Sequence, residues 1–307
     1  MNISLKQLEA FVWVSDLGSF RKAAERLNTT QPNISSRISV LETALNVTLL
    51  ERDAGSVRLT SRGQALLSHA RQVLRATEEF VEAADGTSPY DGVLKLGVTE
   101  LIVHTWLRDY LKTLKESYPN LLVELTVDLS ITISRELFTR AIDLALQNGP
   151  FTQQTTGNED LGSYPWIWVA APALLDSSEA AGDPAISARD LARFPVLTHA
   201  RDTRPYEQVH AHLASFRELR LVPSSNLAAC LQMTVDSMGI AVLPAAMVKS
   251  EIEHGQLVQI PYEWSPEDLR FQARYHADKS SRFVAKAAQI AAATAVAYTS
   301  TFVTGRR

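Results

Sequence analysis

Small polar side chains gather around the predicted first turn of a short helix near residue 30. Gln, Asn and Ser carry the donors and acceptors that pair with base edges, and an exposed helix of this type fits the major groove of DNA. Arg37 follows one position further along the same helix. The candidate base-reading residues are therefore Thr30, Gln31, Pro32, Asn33, Ser35, Ser36 and Arg37.

Two amphipathic helices are predicted to hold that turn in place. Ser19 is a candidate N-cap for the first, whose apolar residues fall three and four apart. The polar run 28–30 then breaks it, and either Thr30 or Gln31 caps the second helix, with Pro32 in its first turn. A small helical core without any role in DNA binding shows the same periodicity, so this pattern alone leaves that alternative open. The apolar positions are Phe20, Ala23, Ala24 and Leu27 in the first helix, and Ile34, Ile38, Leu41 and Leu45 in the second.

Basic residues flank this unit. Arg21, Arg52 and Arg58 are candidate phosphate or minor-groove contacts, the last two because they border a predicted wing hairpin at 53–56, whose Asp53 would repel phosphate. Residues 1–75 hold ten Lys and Arg against six Asp and Glu, a net charge of +4, within a chain total of −4. A basic N-terminal end on an acidic chain is expected if only that end meets phosphate.

The run from Leu5 to Gly63 resembles the winged helix-turn-helix of LysR-type transcriptional regulators. The matching segments are LKQLEAFVWV, GSFRKAAERL, QPNISSRISVLE, LLER and VRLT, in the family's order and without gaps. The resemblance implies an N-terminal all-α winged helix-turn-helix at 1–60 that docks on double-stranded DNA. Asn33 and Ser36 stand where the family commonly has a small and a basic residue, so the resemblance does not carry a base preference.

One long helix is predicted at 61–85, because this stretch lacks Pro and has its only Gly in the first turn. Its heptad seam could pair two subunits or pack on its own domain. The resemblance favours pairing, which implies a homodimer on an interrupted inverted repeat and a homotetramer as the larger assembly. The seam residues are Leu66, Ala70, Val73, Thr77, Phe80 and Ala84.

A linker rich in Gly, Ser and Pro at 86–92 precedes alternating strand-like and helix-like segments, which predict α/β units with largely parallel sheets. The motifs GVTE, SMGIAVLP and FQARYHA resemble the periplasmic-binding-protein-like effector domain of LysR regulators. That resemblance implies two subdomains, 91–163 with 267–307 and 164–266, around a ligand cleft.

Ligands of open α/β sheets bind at the carboxyl ends of strands, where helix N-termini favour an anion. We therefore expect a small anionic metabolite as effector, although Glu100 and Asp128 would oppose it. Polar residues at helix starts are also ordinary N-caps, and Trp106, Trp166 and Trp168 fit either a buried core or an aromatic cleft. The candidate effector contacts are Thr99, Glu100, Ser130, Thr132, Thr198, His199, Arg201 and Asn226.

Other classes of protein fit the sequence less well. It contains no GxSxG, Walker, HExxH or dinucleotide-binding motif, so no enzyme activity, cofactor or metal is expected. An architectural DNA-binding protein would leave the cleft without a role, and a solute-binding protein would leave residues 1–85 unexplained. Cys230 lies in an apolar predicted helix, which favours a structural thiol over a redox sensor. No secretory signal is apparent, and the apolar stretch from Val284 to Val303 is interrupted by polar residues. We therefore expect a cytoplasmic protein that does not enter the membrane. For a transcriptional regulator, RNA polymerase is expected as a further partner.

Overall fold

The N-terminal part of the chain folds into three short helices, a two-stranded hairpin and one long helix. The predicted helix-turn-helix, wing and long helix are therefore confirmed. The predicted linker at 86–92 lies, apart from its last residue, outside the residues that are described. The same is true of Ala54 and Gly55 in the predicted wing hairpin and of the side chains of Arg52, Asp53 and Ala84. In the computed structural model, which describes residues 3–53, 56–85, 92–176 and 186–304, these elements are α1 (Leu5–Leu17), α2 (Phe20–Arg26), α3 (Gln31–Leu45), β1 (Leu50–Asp53), β2 (Ser56–Leu59) and α4 (Ser61–Asp85).

Side-chain caps fix the starts of α2 and α3. Ser19 Oγ accepts the backbone N–H of Lys22 at 3.4 Å, and Thr30 Oγ1 accepts that of Asn33 at 3.5 Å. Asn28, between the helices, has a φ of 48°, a left-handed conformation that Asn tolerates better than most residues. The predicted caps are thus confirmed, and α1, α2 and α3 share one buried apolar cluster.

Glu42 of α3 fixes the wing. Its Oε1 accepts the backbone N–H of Leu49 at 2.7 Å and that of Leu50 at 3.2 Å. A Cβ atom on Gly63 would lie 2.1 Å from the carbonyl oxygen of Leu49, so only glycine lets the first turn of α4 come this close. The wing is therefore held against both α3 and α4.

The remainder of the described chain builds two five-stranded sheets. The first contains β3 (Val93–Val98), β4 (Leu122–Val127), β5 (Leu144–Asn148), β6 (Gly157–Tyr164) and β12 (Leu269–Tyr275), in the order β4-β3-β5-β12-β6. Its helices are α5 (Glu100–His104), α6 (Leu107–Ser117), α7 (Ser130–Phe138) and α13 (Arg282–Thr304).

The second sheet contains β7 (Trp166–Ala170), β8 (Pro195–His199), β9 (Arg220–Ser224), β10 (Ile240–Pro244) and β11 (Val258–Gln259), in the order β11-β7-β10-β8-β9. Its helices are α8 (Pro172–Asp176), α9 (Ala188–Arg193), α10 (Arg204–Leu213), α11 (Leu227–Val235) and α12 (Ala245–Glu253). The chain enters this sheet at Pro165 and returns to the first sheet with β12.

The prediction of largely parallel sheets is wrong. Among the strand pairs described in these two sheets, four are parallel and four are antiparallel. Parallel neighbours need a crossover connection, which the helices after β3 and β4 provide. The strands where the chain passes between the sheets lack such a crossover helix. Strand β6 leads through Pro165 directly into β7, and β12 follows the return of the chain from the second sheet. The sheets are therefore mixed.

The last long helix, α13, packs on the first sheet. Ala287, Ala288 and Ala291 are fully buried, and their small side chains allow the helix to lie close to its neighbours. In the described parts of the chain, no helix combines the length and apolarity needed to cross a bilayer. The interpretation of this stretch as a packed helix is confirmed.

Candidate functional site

The start of α3 presents a polar, accessible surface. Thr30, Gln31, Pro32, Asn33 and Ser36 are exposed. The opposite face of the helix is buried in the domain core. The amide nitrogen of Asn33 donates to Thr29 Oγ1 at 3.2 Å, which orients the amide at the tip of the turn. This arrangement leaves the predicted base-reading side chains free of the protein core.

Two residues of the predicted set lie on the flanks of that surface. Ser35 is half-buried. Arg37 is also half-buried and lies near Glu9 of α1, where its charge opposes the burial that raises the pKa of Glu9. Arg37 therefore has a carboxylate near it, which the sequence pattern did not indicate.

The basic residues around the helix-turn-helix differ in exposure. Arg21 is exposed and forms an ion pair with Glu25 at 3.9 Å, one turn along α2. Arg58 is exposed on β2, directly opposite Glu51 of β1. Both guanidinium groups are accessible to a phosphate backbone, and a phosphate contact would compete with the neighbouring carboxylates of Glu25 and Glu51.

The long helix α4 divides its apolar residues between two faces. Leu66 packs against the core of the DNA-binding domain, and Ala70 is buried in it, as expected for a helix that packs on its own domain. Val73 and Phe80 remain 46% and 75% exposed, and Ala76 between them is exposed too. Thr77 is half-buried, and its hydroxyl donates to the carbonyl oxygen of Val73 at 2.9 Å. The accessible apolar stripe is therefore Val73, Ala76 and Phe80, which are spaced three and four apart.

The carboxyl ends of three adjacent strands bring predicted effector contacts together in the first sheet. Thr99 follows β3, Ser130 begins α7 after β4, and Asn148 ends β5. Ser130 Oγ donates to Asn148 Oδ1 at 2.7 Å. Thr99 is only 7% exposed, and within the described residues its hydroxyl has no hydrogen-bond partner.

The N-termini of α7 and α11, two of the helix starts beside predicted contacts, differ in their caps. At α7, Asp128 Oδ1 accepts the backbone N–H of Leu129 at 2.6 Å. The N-cap residue of α7, Leu129, cannot accept a bond from the first turn through its side chain. In α11, by contrast, Asn226 Oδ1 accepts the N–H of Ala229 at 2.6 Å, which makes Asn226 an ordinary N-cap.

Glu100 joins the two sheets. Its carboxylate accepts the backbone N–H of Leu227 at 2.6 Å and that of Ala228 at 3.0 Å, although Glu100 belongs to α5 and the two donors belong to α11. A carboxylate at this position compensates the positive end of the helix dipole. Glu100 therefore occupies the position that we expected an anionic ligand to take at α11.

The second sheet contributes two polar groups at the end of β8. Thr198 is fully buried, and its hydroxyl has no partner among the described residues; the same holds for Nδ1 of His199. Burial lowers the pKa of His199 below its ordinary value, and the nearby carboxylates of Glu100 and Asp202 oppose that change. The lowered pKa disfavours the protonated imidazolium, so His199 is a poor source of positive charge for an anionic ligand.

Two other predicted contacts lie at the margin of this group. Arg201 is exposed and donates to the hydroxyl of Tyr206 at 3.4 Å, and no hydrogen bond or ion pair joins it to Thr99, Ser130 or Thr198 in the described structure. Thr132 is half-buried in the first turn of α7, two residues after Ser130. Arg201 is thus not joined to the cluster.

The aromatic and thiol candidates are parts of the core. Trp106, Trp166 and Trp168 are each at most 3% exposed, and Trp106 donates to the hydroxyl of Tyr164 at 2.7 Å. Cys230 is fully buried in α11, and burial raises the pKa of its thiol. These residues are therefore parts of the core, which agrees with the structural thiol that the sequence favoured for Cys230 and with the buried-core interpretation of the tryptophans.

Sequence reasoning missed Asn148 as a member of the cluster. Asn148 closes a predicted strand immediately before Gly149-Pro150, and that position is a signal that could have marked it. It also missed that Glu100 serves α11, since nothing local links residues 127 positions apart.

Comparison with known proteins identifies both halves of the chain. Residues 5–64 match the bacterial regulatory helix-turn-helix protein model of the lysR family, and residues 88–294 match the LysR substrate binding domain. The chain is 30% identical over 254 residues to a probable hydrogen peroxide-inducible genes activator of Mycobacterium avium, which covers 81% of this chain and 80% of that protein. It is 29% identical over 204 residues to the transcriptional regulator AlsR of Bacillus subtilis, about two thirds of each chain, 66% in both cases.

Solved structures share the fold over nearly the whole chain. ArgP from Mycobacterium tuberculosis superposes with a TM-score of 0.63 at 21% identity, covering 94% of this chain and 96% of that one. LysG from Corynebacterium glutamicum, solved with arginine bound as effector, gives a TM-score of 0.60 at 18% identity and covers 96% and 98%. With both domain models matched in order, the chain belongs to the LysR family and is a LysR-type transcriptional regulator with an N-terminal DNA-binding domain and an effector-binding domain.

Proposed function

We propose that this regulator binds an interrupted inverted repeat in double-stranded DNA as a homodimer. The observation that carries the proposal is the accessible polar start of α3, where Gln31, Asn33 and Ser36 lie clear of the domain core. The exposed stripe of Val73, Ala76 and Phe80 supplies the surface that pairs two copies. Pairing through α4 relates two recognition helices by a two-fold axis, so each reads one half-site.

Genome-wide mapping of the sites bound by the full chain tests this proposal. A recurrent inverted repeat, protected over both half-sites, is the expected result. Binding should also retain a large advantage over random DNA at physiological salt, on the order of 10³ or more. A single unpaired half-site, or an affinity that ignores sequence as in an architectural protein, would contradict it.

The domain division that we propose follows the sheets. Residues 1–60 form the DNA-binding domain, 61–85 the pairing helix and 86–92 a linker. The first effector lobe comprises 91–163 with 267–307, and the second comprises 164–266. The membership of β12 in the first sheet and of β7 to β11 in the second supports this division.

The effector in this proposal is a small anionic metabolite held between the lobes. Its acidic group would lie at the N-terminus of α7, where Leu129 leaves the first turn without a side-chain cap and Thr99 offers a buried hydroxyl with no partner in the described structure. Thr198 and His199 would contact the other end of the molecule. The arginine bound to LysG carries a net positive charge, so it supports only the presence of a carboxylate on an effector and not a net negative charge.

A thermal-shift screen of the full chain with matched sets of carboxylates, their amides and amines tests the effector class. We expect stabilisation by members of the carboxylate set, and loss of that stabilisation in Ser130→Ala. Stabilisation by an amide or amine, with no response to its carboxylate counterpart, would show that the anionic preference is wrong.

The mechanism that we propose couples lobe closure to DNA geometry. An effector can shift the equilibrium between open and closed lobes only by its difference in affinity for the two states. In the cytoplasm, the dimers of a homotetramer would then reorient, which changes DNA bending and access for RNA polymerase. The mass of the DNA-bound species, measured with and without a stabilising carboxylate, tests the tetramer.

A further inference from the structure

Two buried aspartates lie where the DNA-binding domain meets the first effector sheet. Asp143, just before β5, accepts two hydrogen bonds from Nη2 of Arg26, one to each carboxylate oxygen at 2.7 Å. Asp16 of α1 is paired with Arg71 of α4 and, at 3.5 Å, with Nη2 of Arg140. The aspartate side chains are only 6% and 3% exposed. Each aspartate is thus paired with an arginine from the other domain.

Trp13 of α1 lies between the same two arginines. The guanidinium carbon of Arg26 is 4.6 Å from the ring centroid, and that of Arg140 is 4.9 Å away. One arginine comes from the DNA-binding domain and the other from the effector sheet, so the indole connects the two pairs through cation–π contacts. We call the set of Trp13, Asp16, Arg26, Arg140 and Asp143 the latch.

The backbone at Arg140 indicates that its side chain is needed in the latch. Its φ is 62°, in the left-handed region at the end of α7, where glycine is the usual residue. Its Nη2 also donates to the carbonyl oxygen of Lys279 at 2.9 Å, and the side chain is 7% exposed. Burial lowers the pKa of Arg140; the carboxylates of Asp16 and Asp143 oppose that change, whereas the charges of Arg26 and Arg71 add to it. The side chain stays a guanidinium cation because arginine is not deprotonated in proteins. A strained, buried arginine persists only where its surroundings fix it.

The elements that carry the latch also reach the cleft. Helix α7 begins at Ser130 and is followed by Arg140, whereas β5 follows Asp143 and ends at Asn148. The Ser130–Asn148 hydrogen bond joins the two elements at the cleft end, and the buried apolar cluster of Ile133, Leu137, Ile142 and Ala145 joins them along their length. These two elements form one unit, residues 130–148, whose helix α7 is about 14 Å long. It therefore connects a polar cleft to a charged domain contact through one packed body.

We infer that the latch fixes the orientation of the DNA-binding domain on the effector domain of the same chain, and that the unit 130–148 transmits changes at the cleft to the latch. The transmission from the cleft rests on the proposed function of the cleft, whereas the orienting role of the latch does not depend on that function.

The latch orients the DNA-binding domain without covering its reading surface. The start of α3 stays exposed while Arg26, at the end of α2, is docked. A cavity of about 680 Å³ lies beside the charged pairs, bordered by Trp13, Arg71 and Asp143. The interface is thus charged and incompletely filled, which is the type of contact that can open without unfolding either domain.

Hydrogen exchange of the full chain, read by mass spectrometry without DNA or effector, tests both parts. In Arg26→Gln we expect roughly tenfold faster exchange at residues 139–144, across the interface, because a domain contact has been lost. Lys22→Gln, which removes an equal charge from the exposed side of the same helix, should leave these amides unchanged. Asn148→Ala, at the cleft end, should accelerate exchange at residues 13–18 in the other domain.

Three results would overturn the inference. Wild-type exchange at 139–144 in Arg26→Gln would refute the latch, and acceleration confined to 128–150 in Asn148→Ala would refute the transmission. The double variant Arg26→Gln/Asp143→Asn should exchange no faster than the faster single variant, because both remove one contact. Additive acceleration over the whole chain would indicate general destabilisation and would also refute the latch. None of these results bears on operator binding, so a failure here is distinct from a failure of the proposed function.

Discussion

The carboxylate of Glu100 accepts the backbone N–H of Leu227 at 2.6 Å, across the boundary between the two sheets. With the second bond from Ala228, the chain supplies its own anion to the N-terminus of α11. An effector carboxylate at α11 would have to displace Glu100, whereas the start of α7 lacks a side-chain cap. This asymmetry is why we place the acidic group of the effector beside Ser130.

Replacing Glu100 with Gln should loosen the contact between the lobes. The neutral amide oxygen is a weaker acceptor than the carboxylate, and it no longer compensates the helix dipole, so we expect a loss of about 1–3 kcal/mol in the free energy of unfolding. Urea unfolding measures it. The matched control is Glu124→Gln, whose side chain is 62% exposed in its pair with Lys95, and which should change stability by less than about 0.5 kcal/mol. Equal effects of the two substitutions would contradict the bridging role.

Asn33→Ala should relax the preference at one base pair of each half-site. Asn pairs best with adenine in the major groove, and a contact of this kind contributes about 1–3 kcal/mol of discrimination. Competition binding with single-base variants of a mapped operator measures the loss position by position. Ser39→Ala, exposed further along α3, serves as the control. A uniform loss of affinity for all variants of the site would show that Asn33 does not read a base.

Arg58→Gln should weaken binding to specific and random DNA alike. Arg58 is exposed on the wing and is accessible to phosphate, so its removal should reduce the slope of log affinity against log salt concentration by about 0.9. Affinities measured over a salt series give that slope. Arg217→Gln removes the same charge from an exposed position in the effector domain and should leave the slope unchanged. An unchanged slope in Arg58→Gln would exclude a wing contact at this position.

Phe80→Asp should dissociate the dimer and weaken operator binding. Phe80 is 75% exposed in the single chain, and a charge there would be buried without a partner when two α4 helices pair. Sedimentation velocity reports the mass, and operator affinity should fall with it because two half-sites no longer bind together. Gln64→Asp, exposed on the side of α4 away from the stripe of Val73, Ala76 and Phe80, should retain the wild-type mass. If Phe80→Asp kept both mass and affinity, the pairing surface would lie elsewhere.

The sequence predicted the parts of the molecule that depend on neighbouring residues. The caps Ser19 and Thr30 lie within three residues of the N–H groups they accept, so periodicity and capping chemistry were sufficient to place α2 and α3. The strand directions were predicted less well, because β6 and β12 pair through a return of the chain from another sheet. The fold also decides which face of α4 stays accessible. Leu66 and Val73 are both apolar residues of the predicted heptad seam, and the sequence does not distinguish them.

Contacts between distant residues were beyond the sequence pattern. Arg26 and Asp143 lie 117 positions apart, and Glu100 lies 127 positions from Leu227. A charged residue on a predicted helix is usually solvated, and nothing in its neighbourhood distinguishes one that will be buried against a carboxylate. The polar residues at strand ends were predictable as a group, but only the fold separates Ser130, which meets Asn148, from Arg201, which remains exposed.

The stability of the protein should fall on mild acidification, partly through His199. Because burial lowers the pKa of His199 from 6.5, the folded chain binds fewer protons than the unfolded chain once the pH falls through about 6.5. The free energy of unfolding therefore decreases as the pH falls from there toward the lowered pKa, by at most about 1.4 kcal/mol per pH unit for this residue. Urea unfolding of His199→Gln between about pH 5.5 and 7.5 should show a shallower decline than wild type, because Gln takes up no proton. An identical pH dependence in His199→Gln would mean that His199 becomes protonated as readily in the folded protein as in the unfolded chain.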